Sequence, residues 1–330
     1  MISQTSLSFY ERPIELIERA VSRVERVIVG KRENIVQTVV AMLCGGHVLI
    51  EDVPGVGKTM LARALAQTMG CTFQRIQFTS DVMPTDITGV SVYNPQTLEF
   101  EFRQGPIMAN LVLADEINRA TARTQSALLE AMEERRVTVD GVTRPLPEPF
   151  VLLATQNPFD FEGTYRLPEA QLDRFMLRIS LGYPSAEQET EILTRLQEQH
   201  PLETIKPVLL ADELARMQRE VRSVHVDEAI KQYIVAAAQT TRTHPDLALG
   251  ASPRASLAWM RVAQAQAYAR GRTYVVPDDV KAMAVPVLAH RLVLKPQARM
   301  AGKRSEEIVR QLMNTLPVPM FRGEAGARQR

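Results

Sequence analysis

The segment that most constrains the fold is a glycine-rich turn, VPGVGKT, at Val53–Thr59. An apolar run, GHVLIE (Gly46–Glu51), precedes the turn, and MLARALAQTM (Met60–Met69) follows it with apolar residues at helical spacing. A strand, a glycine turn and a helix in this order direct backbone N–H groups around phosphate oxygens, with the helix N-terminus behind them. We expect the ammonium group of Lys58 to reach the β- and γ-phosphates and the hydroxyl of Thr59 to ligate Mg²⁺.

A second motif, LVLADE at Leu111–Glu116, is an apolar strand that ends in two carboxylates. We expect Asp115 to hold the Mg²⁺ shell and Glu116 to polarise the attacking water. A phosphate-binding turn, a metal carboxylate and a candidate base together indicate a site that hydrolyses a nucleoside triphosphate. The strict phosphate-loop pattern has glycine where this chain has Asp52, so the alternative interpretation is a Gly-Pro loop that binds no phosphate.

Composition and charge exclude several classes of protein. Hydrophobic residues make up 45% and charged residues 23% of the 330 residues, with a formal net charge of +1. This balance gives no electrostatic signature of nucleic-acid binding, and no apolar run reaches the ~18 residues of a membrane span. The N-terminal segment does not resemble a signal peptide, and the five histidines lack metal-ligand spacing. We expect a cytoplasmic protein with reduced cysteines, whose one metal is Mg²⁺ that arrives with the nucleotide.

Residues 1–200 begin with two predicted helices, the first running from Pro13 in its first turn to Gly30 and the second at Asn34–Cys44. Strands and helices alternate after them. This pattern predicts an α/β domain with a parallel five-stranded sheet between helices and the nucleotide at the carboxyl ends of the strands. The expected strands are His47–Glu51, Thr72–Phe78, Asn110–Ala114, Phe150–Thr155 and Phe175–Ser180, and the expected helices are Lys58–Met69, Ala122–Glu134 and Glu187–Gln199.

The strand signal fades after an expected interdomain linker at His200–Leu210. Amphipathic periodicity then predicts a small all-helical domain over residues 201–320. The Gly/Arg-rich tail at residues 321–330 is expected to be disordered. The expected helices of this half are Asp212–Glu220, Asp227–Arg242, Ser252–Arg270, Pro277–Ala289 and Ser305–Leu316.

Two segments interrupt the alternation of strands and helices. Residues 88–105 contain an alternating strand pattern around an Asn-Pro turn, and residues 136–146 form a short hairpin pattern with Asp140-Gly141 at its tip. Neither segment is needed to build the sheet, so each is expected to protrude. They are either tolerated insertions or functional loops.

Three further residues are candidates for chemistry, each with a structural alternative. Asn157 ends a buried strand, where it could orient the attacking water or belong to a simple Asn-Pro turn. Arg174 is poorly placed to reach its own site, so it serves a neighbour's γ-phosphate or pairs with Asp173. Arg254 follows a predicted N-cap, Ser252, in a first helical turn, where a cation opposes the helix dipole. Its partner is a nucleotide phosphate or a structural carboxylate.

Taken together, these motifs resemble the AAA+ ATPases, and within them the MoxR family, from about Glu25 to Pro317. The resemblance is specific because several independent motifs occur in the family's order and spacing. The motifs that carry it are VIVGK (Val27–Lys31), EDVPGVGKT (Glu51–Thr59), LADEINRA (Leu113–Ala120), QSALLEAMEE (Gln125–Glu134), ATQNP (Ala154–Pro158), LPEAQLDRF (Leu167–Phe175) and GASPRA (Gly250–Ala255).

The resemblance implies roles that spacing alone does not. It implies that Val29 and Gly30 contact the adenine and that Asp115 and Glu116 are the Walker B pair. It also implies sensor 1 at Asn157, sensor 2 at Arg254 and, at Arg174, an arginine finger that acts on the adjacent subunit. The loop implied to bind the phosphates and Mg²⁺ consists of Pro54, Gly55, Val56, Gly57, Lys58, Thr59 and Met60. The two interruptions match the helix-two insert and the pre-sensor-one hairpin, which approach the central pore and substrate in such motors.

The resemblance further implies an ATP-hydrolysing motor that works as a homo-oligomeric ring, most commonly a hexamer. The expected task is chaperone-like remodelling of a client protein, for complex assembly or for metal or cofactor insertion, with a partner that bears a von Willebrand factor A domain. Alternatives are a nucleic-acid motor, which Arg135, Arg136 and Arg144 near the second hairpin keep open, and an ATP-gated scaffold. The chain departs from the pattern at Asp52 and at Arg166, where the family commonly has proline, and neither residue is expected to touch the catalytic groups.

Overall fold

The computed structural model describes residues 7–158, 164–198 and 201–319. The chain divides into two compact units, the first ending at Glu220 and the second beginning at Val221. The sequence predicts the domain boundary after residue 200 instead, within the expected linker. Residue 200 and the tail at 321–330 lie outside the described residues. Residues 201–220 therefore belong by their packing to the first unit.

The first unit contains nine strands, counted over the described residues. Five of them form the central sheet, and the other four form two separate hairpins. They are β1 (Val48–Glu51), β2 (Phe73–Gln77), β3 (Gly89–Asn94), β4 (Glu99–Gln104), β5 (Leu111–Asp115), β6 (Arg136–Val139), β7 (Val142–Pro145), β8 (Val151–Gln156) and β9 (Leu177–Ile179).

The central sheet has the strand order β2-β5-β8-β1-β9, and every pair in it is parallel. This order confirms the predicted parallel five-stranded sheet. Because the strands are parallel, the carboxyl ends of β1, β5 and β8 meet at one edge. The phosphate-binding turn, the Asp115-Glu116 pair and Asn157 follow those three ends directly, so the topology brings together motifs that are far apart in the chain.

The sheet core consists of fully buried aliphatic side chains. One face of the sheet packs in a single buried cluster with the helix Ala122–Glu134. The strand residues of this face are fully inaccessible to solvent and include Leu49, Val112, Ala114, Leu152 and Ala154. Strands covered on both faces read as continuous apolar runs, which is why the sequence signal for them is strong. Burying one such leucine or valine contributes roughly 1.5–3 kcal/mol to folding, so these strands fix the edge that carries the site.

A buried histidine joins β1 to β8 at the other end of the sheet. The Nδ1 atom of His47 accepts a hydrogen bond of 3.0 Å from the backbone N–H of Leu152. Burial, and secondarily the charge of Arg135, lowers the pKa of His47 to about 3. The imidazole is therefore neutral at physiological pH, as an acceptor nitrogen requires.

Three helices of the first unit differ from expectation, namely the first helix and the short helices Pro84–Thr88 and Glu169–Leu172, which were not predicted. The first helix is continuous from Leu7, so the prediction that Pro13 lies in its first turn is wrong, and the helix ends at Glu25 before Gly30. The apolar periodicity starts only after Pro13, which left no sequence signal for the earlier turns. The helices are α1 (Leu7–Glu25), α2 (Arg32–Leu43), α3 (Lys58–Thr68), α4 (Pro84–Thr88), α5 (Ala122–Glu134), α6 (Glu169–Leu172), α7 (Ala186–Glu198) and α8 (Ala211–Val221).

The second unit is helical apart from one small strand pair. Its strands, β10 (Leu247–Leu249) and β11 (Val293–Leu294), are antiparallel and were not predicted, because two- and three-residue strands carry no periodic signal. Four of its five described helices lie close to predicted ranges, whereas the short helix Pro296–Met300 was not predicted. Trp259 is fully buried in this unit. The helices are α9 (Glu228–Arg242), α10 (Pro253–Ala269), α11 (Pro277–Leu288), α12 (Pro296–Met300) and α13 (Ser305–Thr315). No helix in the described part of the chain is both long and apolar enough to cross a membrane.

Both interruptions of the first unit are antiparallel hairpins, as predicted. Strands β3 and β4 pair from Gly89 with Gln104 to Asn94 with Glu99. Strands β6 and β7 are joined by Asp140 and Gly141, whose φ angles of 52° and 74° are those of a two-residue hairpin turn with both residues left-handed. The guanidinium of Arg144 lies 3.9 Å from the ring centre of Phe102, so the two hairpins touch.

Candidate functional site

The phosphate-binding turn leads directly into helix α3. Gly55 and Gly57 adopt φ angles of +84° and +92°, and a Cβ at Gly55 would meet nothing within 4 Å, so backbone conformation and not space requires glycine there. Gly57 is the N-cap and no side chain caps the helix. The first-turn N–H groups therefore lack intrahelical partners and point toward the turn, which is the arrangement that binds phosphate.

Lys58 and Asp52 are in contact, contrary to the expectation that Asp52 stays apart from the catalytic groups. The Nζ atom of Lys58 donates a 2.7 Å hydrogen bond to the backbone carbonyl of Asp52. The Asp52 carboxylate is 6% exposed and accepts hydrogen bonds from the N–H of Val53, the hydroxyl of Ser180 and the N–H of Gly182, at 2.9, 3.1 and 2.7 Å. Asp52 thus ties the start of the turn to the segment after β9.

A cavity of about 260 Å³ lies beside the turn and has the apolar lining expected of a base-binding pocket. Val29, Gly55, Val56, Gly57 and Met60, all predicted to contact the nucleotide, line it. Apolar residues of the segments after β9 and of α7 close it; they include Pro184, Ile192 and Leu196. Gly30 and Pro54 are absent from this lining, and Gly30 lies under the side chain of Gln188, where a Cβ would meet the amide nitrogen at 2.0 Å.

The Asp115 carboxylate is nearly buried and has a partner on each oxygen. Its Oδ1 accepts a 2.6 Å hydrogen bond from the hydroxyl of Thr155 on the neighbouring strand. Its Oδ2 accepts from two nitrogens of Arg75, Nε at 3.0 Å and an Nη at 2.6 Å. Sequence reasoning missed Arg75 and Thr155, because each meets Asp115 only through strand pairing.

Glu116 sits at the end of β5 in a conformation that is unusual for a non-glycine residue. Its φ and ψ are 58° and 48°, in the left-handed region, and its N–H donates a 2.8 Å hydrogen bond to the hydroxyl of Thr155. The carboxylate accepts from Gln77 and Arg119, both at 3.1 Å. A strained backbone held by surrounding hydrogen bonds is common at catalytic positions, and here it projects the carboxylate beyond the strand end.

The chemistry of the donor set fits Mg²⁺. The Thr59 hydroxyl and the Asp115 carboxylate are hard oxygen ligands, the kind that Mg²⁺ prefers. Among the described residues, no group of three or more His, Cys, Asp or Glu side chains could hold a metal by themselves. Few protein ligands are typical of Mg²⁺ that binds together with substrate phosphates and retains water.

Asn157 is 9% exposed and lies at the carboxyl end of β8. Its backbone carbonyl accepts a 3.5 Å contact from the amide of Asn118, and both residues line a cavity of about 330 Å³. Arg166 lines the same cavity, so this departure from the family pattern lies nearer to Asn157 than expected. A turn at Pro158 follows Asn157, so this residue both lies at a strand end and begins an Asn-Pro turn, the two positions that the sequence offered as alternatives.

Arg174 does not line the cavity beside the phosphate-binding turn of its own chain. Its Nε is 3.2 Å from the Glu133 carboxylate of α5, an ion-pair distance without hydrogen-bond alignment. Arg174 lines a separate cavity of about 1010 Å³ between α4, α5 and the β6–β7 hairpin. Glu133 is a partner that the sequence analysis did not name, and the pairing of Arg174 with Asp173 stays a prediction.

Arg254 lies in the second unit, in the first turn of α10. The Ser252 hydroxyl accepts a 3.1 Å hydrogen bond from the N–H of Ala255, and Pro253 is the first helical residue, both as predicted. The Arg254 side chain is exposed. Its role as sensor 2 stays a prediction.

Comparison with known proteins places this chain in a family. Residues 47–177 match the ATPase family associated with various cellular activities (AAA), and residues 239–312 match the AAA lid domain. Chaperone MoxR1 of Mycobacterium tuberculosis is 44% identical, covering 93% of this chain and 83% of that protein. The chain belongs to the MoxR family of AAA+ ATPases. YeaC of Bacillus subtilis is 52% identical over 96% of this chain and 99% of its own.

The MoxR assignment agrees with a solved structure and with the position of each motif. A crystal structure of a candidate ATPase from Cytophaga hutchinsonii superposes with a TM-score of 0.90 at 36% identity, covering 96% of this chain and 99% of that one. The AAA match runs from β1 to β9 and contains the phosphate-binding turn, the two carboxylates, Asn157 and Arg174. The lid match contains Arg254.

Proposed function

We propose that this MoxR-family protein hydrolyses ATP in a Mg²⁺-dependent reaction. The observation that carries the proposal is the meeting, at one sheet edge, of a glycine turn, a helix N-terminus that no side chain caps, the Lys58 ammonium, and the Asp115 and Glu116 carboxylates. The Thr155 hydroxyl fixes both acidic residues, since it donates to the Asp115 carboxylate and accepts from the backbone N–H of Glu116. Each of these groups meets a different requirement of phosphoryl transfer, namely anion binding, charge stabilisation, metal binding and activation of water.

The reaction is in-line attack of water on the γ-phosphate of ATP. First-turn N–H groups of α3 hold the phosphates, and Lys58 exchanges the Asp52 carbonyl for phosphate oxygens. Thr59 and Asp115 would hold Mg²⁺, which would supply positive charge next to the phosphate oxygens. Glu116 accepts the proton of the attacking water, and Asn157 orients that water. The mostly apolar cavity next to the turn receives the adenine.

A ring of subunits completes the site in this proposal. Arg174 lines a cavity other than the one beside its own phosphate turn, and its partner there is a carboxylate. An arginine in that position suits the phosphate of an adjacent subunit, where it stabilises the charge of the transition state. A head-to-tail contact that closes on itself gives a ring, and a hexamer is the size that the family resemblance implies.

The cellular task proposed for the ring is chaperone-like remodelling of a client protein in the cytoplasm. One relative carries the name Chaperone MoxR1, which supports the general role. A von Willebrand factor A domain protein is the proposed partner, and complex assembly or metal or cofactor insertion is the proposed outcome. The two touching hairpins are the proposed client-binding elements, since both stand outside the sheet.

The structure lends little support to the nucleic-acid alternative. The three arginines that kept it open each make contacts within the protein: Arg135 donates to the Gly45 carbonyl, Arg136 pairs with Glu134, and Arg144 covers Phe102. A purely ATP-gated scaffold would not need Glu116 held at the strand end.

Replacing the proposed base provides the test. Glu116→Gln removes the proton acceptor but keeps the shape, so we expect ATP binding to persist while turnover falls by about a hundredfold or more. Glu228→Gln changes an exposed carboxylate of α9 and is the matched control. Steady-state phosphate release and binding of a fluorescent ATP analogue measure the two effects. Normal turnover in Glu116→Gln would exclude Glu116 as the base, and no turnover in the wild type would contradict the hydrolase proposal.

A further inference from the structure

Arg75 is a cation placed on the carboxylate that would hold the metal. It lies on β2, the edge strand of the sheet, and two of its nitrogens contact Oδ2 of Asp115, at 3.0 and 2.6 Å. The other oxygen of Asp115 is taken by the Thr155 hydroxyl. The Arg75 side chain is 47% exposed, whereas that of Asp115 is 10% exposed. The carboxylate is therefore fixed, and the guanidinium can leave toward solvent.

The same strand connects this ion pair to the proposed base. Side chains two residues apart on a strand point to the same face, so Gln77 lies beside Arg75. An Nη of Arg75 donates a 2.5 Å hydrogen bond to Oε1 of Gln77, and Nε2 of Gln77 donates to Glu116 at 3.1 Å. Arg75 and Gln77 thus form one hydrogen-bonded chain from Asp115 to Glu116.

An uncompensated carboxylate is costly where solvent is largely excluded, and a nearby cation reduces that cost. Arg75 supplies this positive charge, and Mg²⁺ would supply another at the same carboxylate. Two cations at one carboxylate repel each other, so Mg²⁺ and Arg75 would compete for Asp115. Because the guanidinium is half-exposed, it can return to solvent when a divalent ion bound together with nucleotide phosphates takes over the charge compensation of Asp115.

We propose that Arg75 is a positioning residue that occupies Asp115 until Mg²⁺ arrives with the nucleotide and displaces it. The proposal rests on the ATPase function proposed above. It assigns to Arg75 a specific consequence: the residue raises the Mg²⁺ concentration that the protein needs. An arginine with a merely structural role would leave this requirement unchanged or, if it held Asp115 in place for the metal, would lower it.

The test is the Mg²⁺ dependence of nucleotide binding in Arg75→Met, Arg75→Lys and the wild type. The probe is a fluorescent ADP analogue, whose affinity is measured across a Mg²⁺ titration. We expect Arg75→Met to reach half of its metal-dependent gain in affinity at an Mg²⁺ concentration about three- to tenfold lower, and Arg75→Lys to lie between it and the wild type. Gln74→Ala, an exposed change on the same edge strand, is the matched control and should match the wild type.

An unchanged or higher Mg²⁺ requirement in Arg75→Met overturns the proposal. If that variant unfolds, Arg75→Lys decides alone, since a Mg²⁺ requirement at or above that of the wild type contradicts competition. ATP turnover of the wild type is measured in parallel. Binding of the ADP analogue without any turnover would contradict the hydrolase function while the metal titration still decides the role of Arg75.

Discussion

At the scale of single residues, Asp52 shows how a departure from a motif can be stabilising. We expect Asp52→Gly, although it restores the strict phosphate-loop pattern, to lower the free energy of unfolding by about 1.5–3 kcal/mol. The reason is that the buried carboxylate accepts three hydrogen bonds, two of them from the segment after β9. Thermal unfolding of the variant measures the effect. Asp52→Asn, which keeps the shape and an acceptor oxygen, is the control and should lose less stability.

The same position connects stability to nucleotide binding. Gly182 donates to Asp52 and also lines the cavity beside the phosphate turn. We therefore expect Asp52→Gly to weaken binding of an adenine nucleotide as well, by an amount that Asp52→Asn partly restores. Stability and affinity equal to those of the wild type in Asp52→Gly would show that the three hydrogen bonds contribute little.

At the scale of elements, the two hairpins form one protruding unit through Arg144 and Phe102. We expect Phe102→Leu to speed backbone amide exchange in β6–β7 by about two- to fivefold, since a cation–π contact at such a site is worth about 0.5–1 kcal/mol. Hydrogen–deuterium exchange followed by mass spectrometry measures this. Phe100→Leu changes a 74% exposed ring on the same strand and is the control. Equal exchange in β6–β7 of both variants would indicate that the hairpins move independently.

The elements also separate what local sequence can predict from what it cannot. The β6–β7 hairpin was predicted because Asp140 and Gly141 favour left-handed backbone at adjacent positions, which is a local preference. The helix start at Leu7 was missed because the apolar spacing appears only after Pro13. The contact between the hairpins and the hydrogen bonds of Asp115 were not predictable. Both depend on which strands and loops become neighbours, and no short segment encodes that.

At the scale of the whole molecule, the order of the strands explains why the candidate site could largely be predicted. A parallel sheet sends every strand end to one edge, so polar residues after β1, β5 and β8 must meet. The partners that tune these residues could not be predicted, because Arg75 and Gln77 lie in the middle and at the end of an edge strand with no motif of their own. Their roles follow from register: Gln77 pairs with Asp115, and Arg75 with Leu113.

The proposed sharing of the site between subunits also makes a prediction about the assembled protein. Lys58→Ala and Arg174→Ala should each be nearly inactive, because one lacks the phosphate lysine and the other the arginine for its neighbour. In rings mixed at equal amounts, about a quarter of the sites would combine an intact Lys58 with an intact Arg174 from the adjacent subunit. We therefore expect mixing to restore about a quarter of wild-type turnover, measured alongside native mass spectrometry of the rings. If Arg174 acted within its own subunit, verified mixed rings would show no gain over the separate variants.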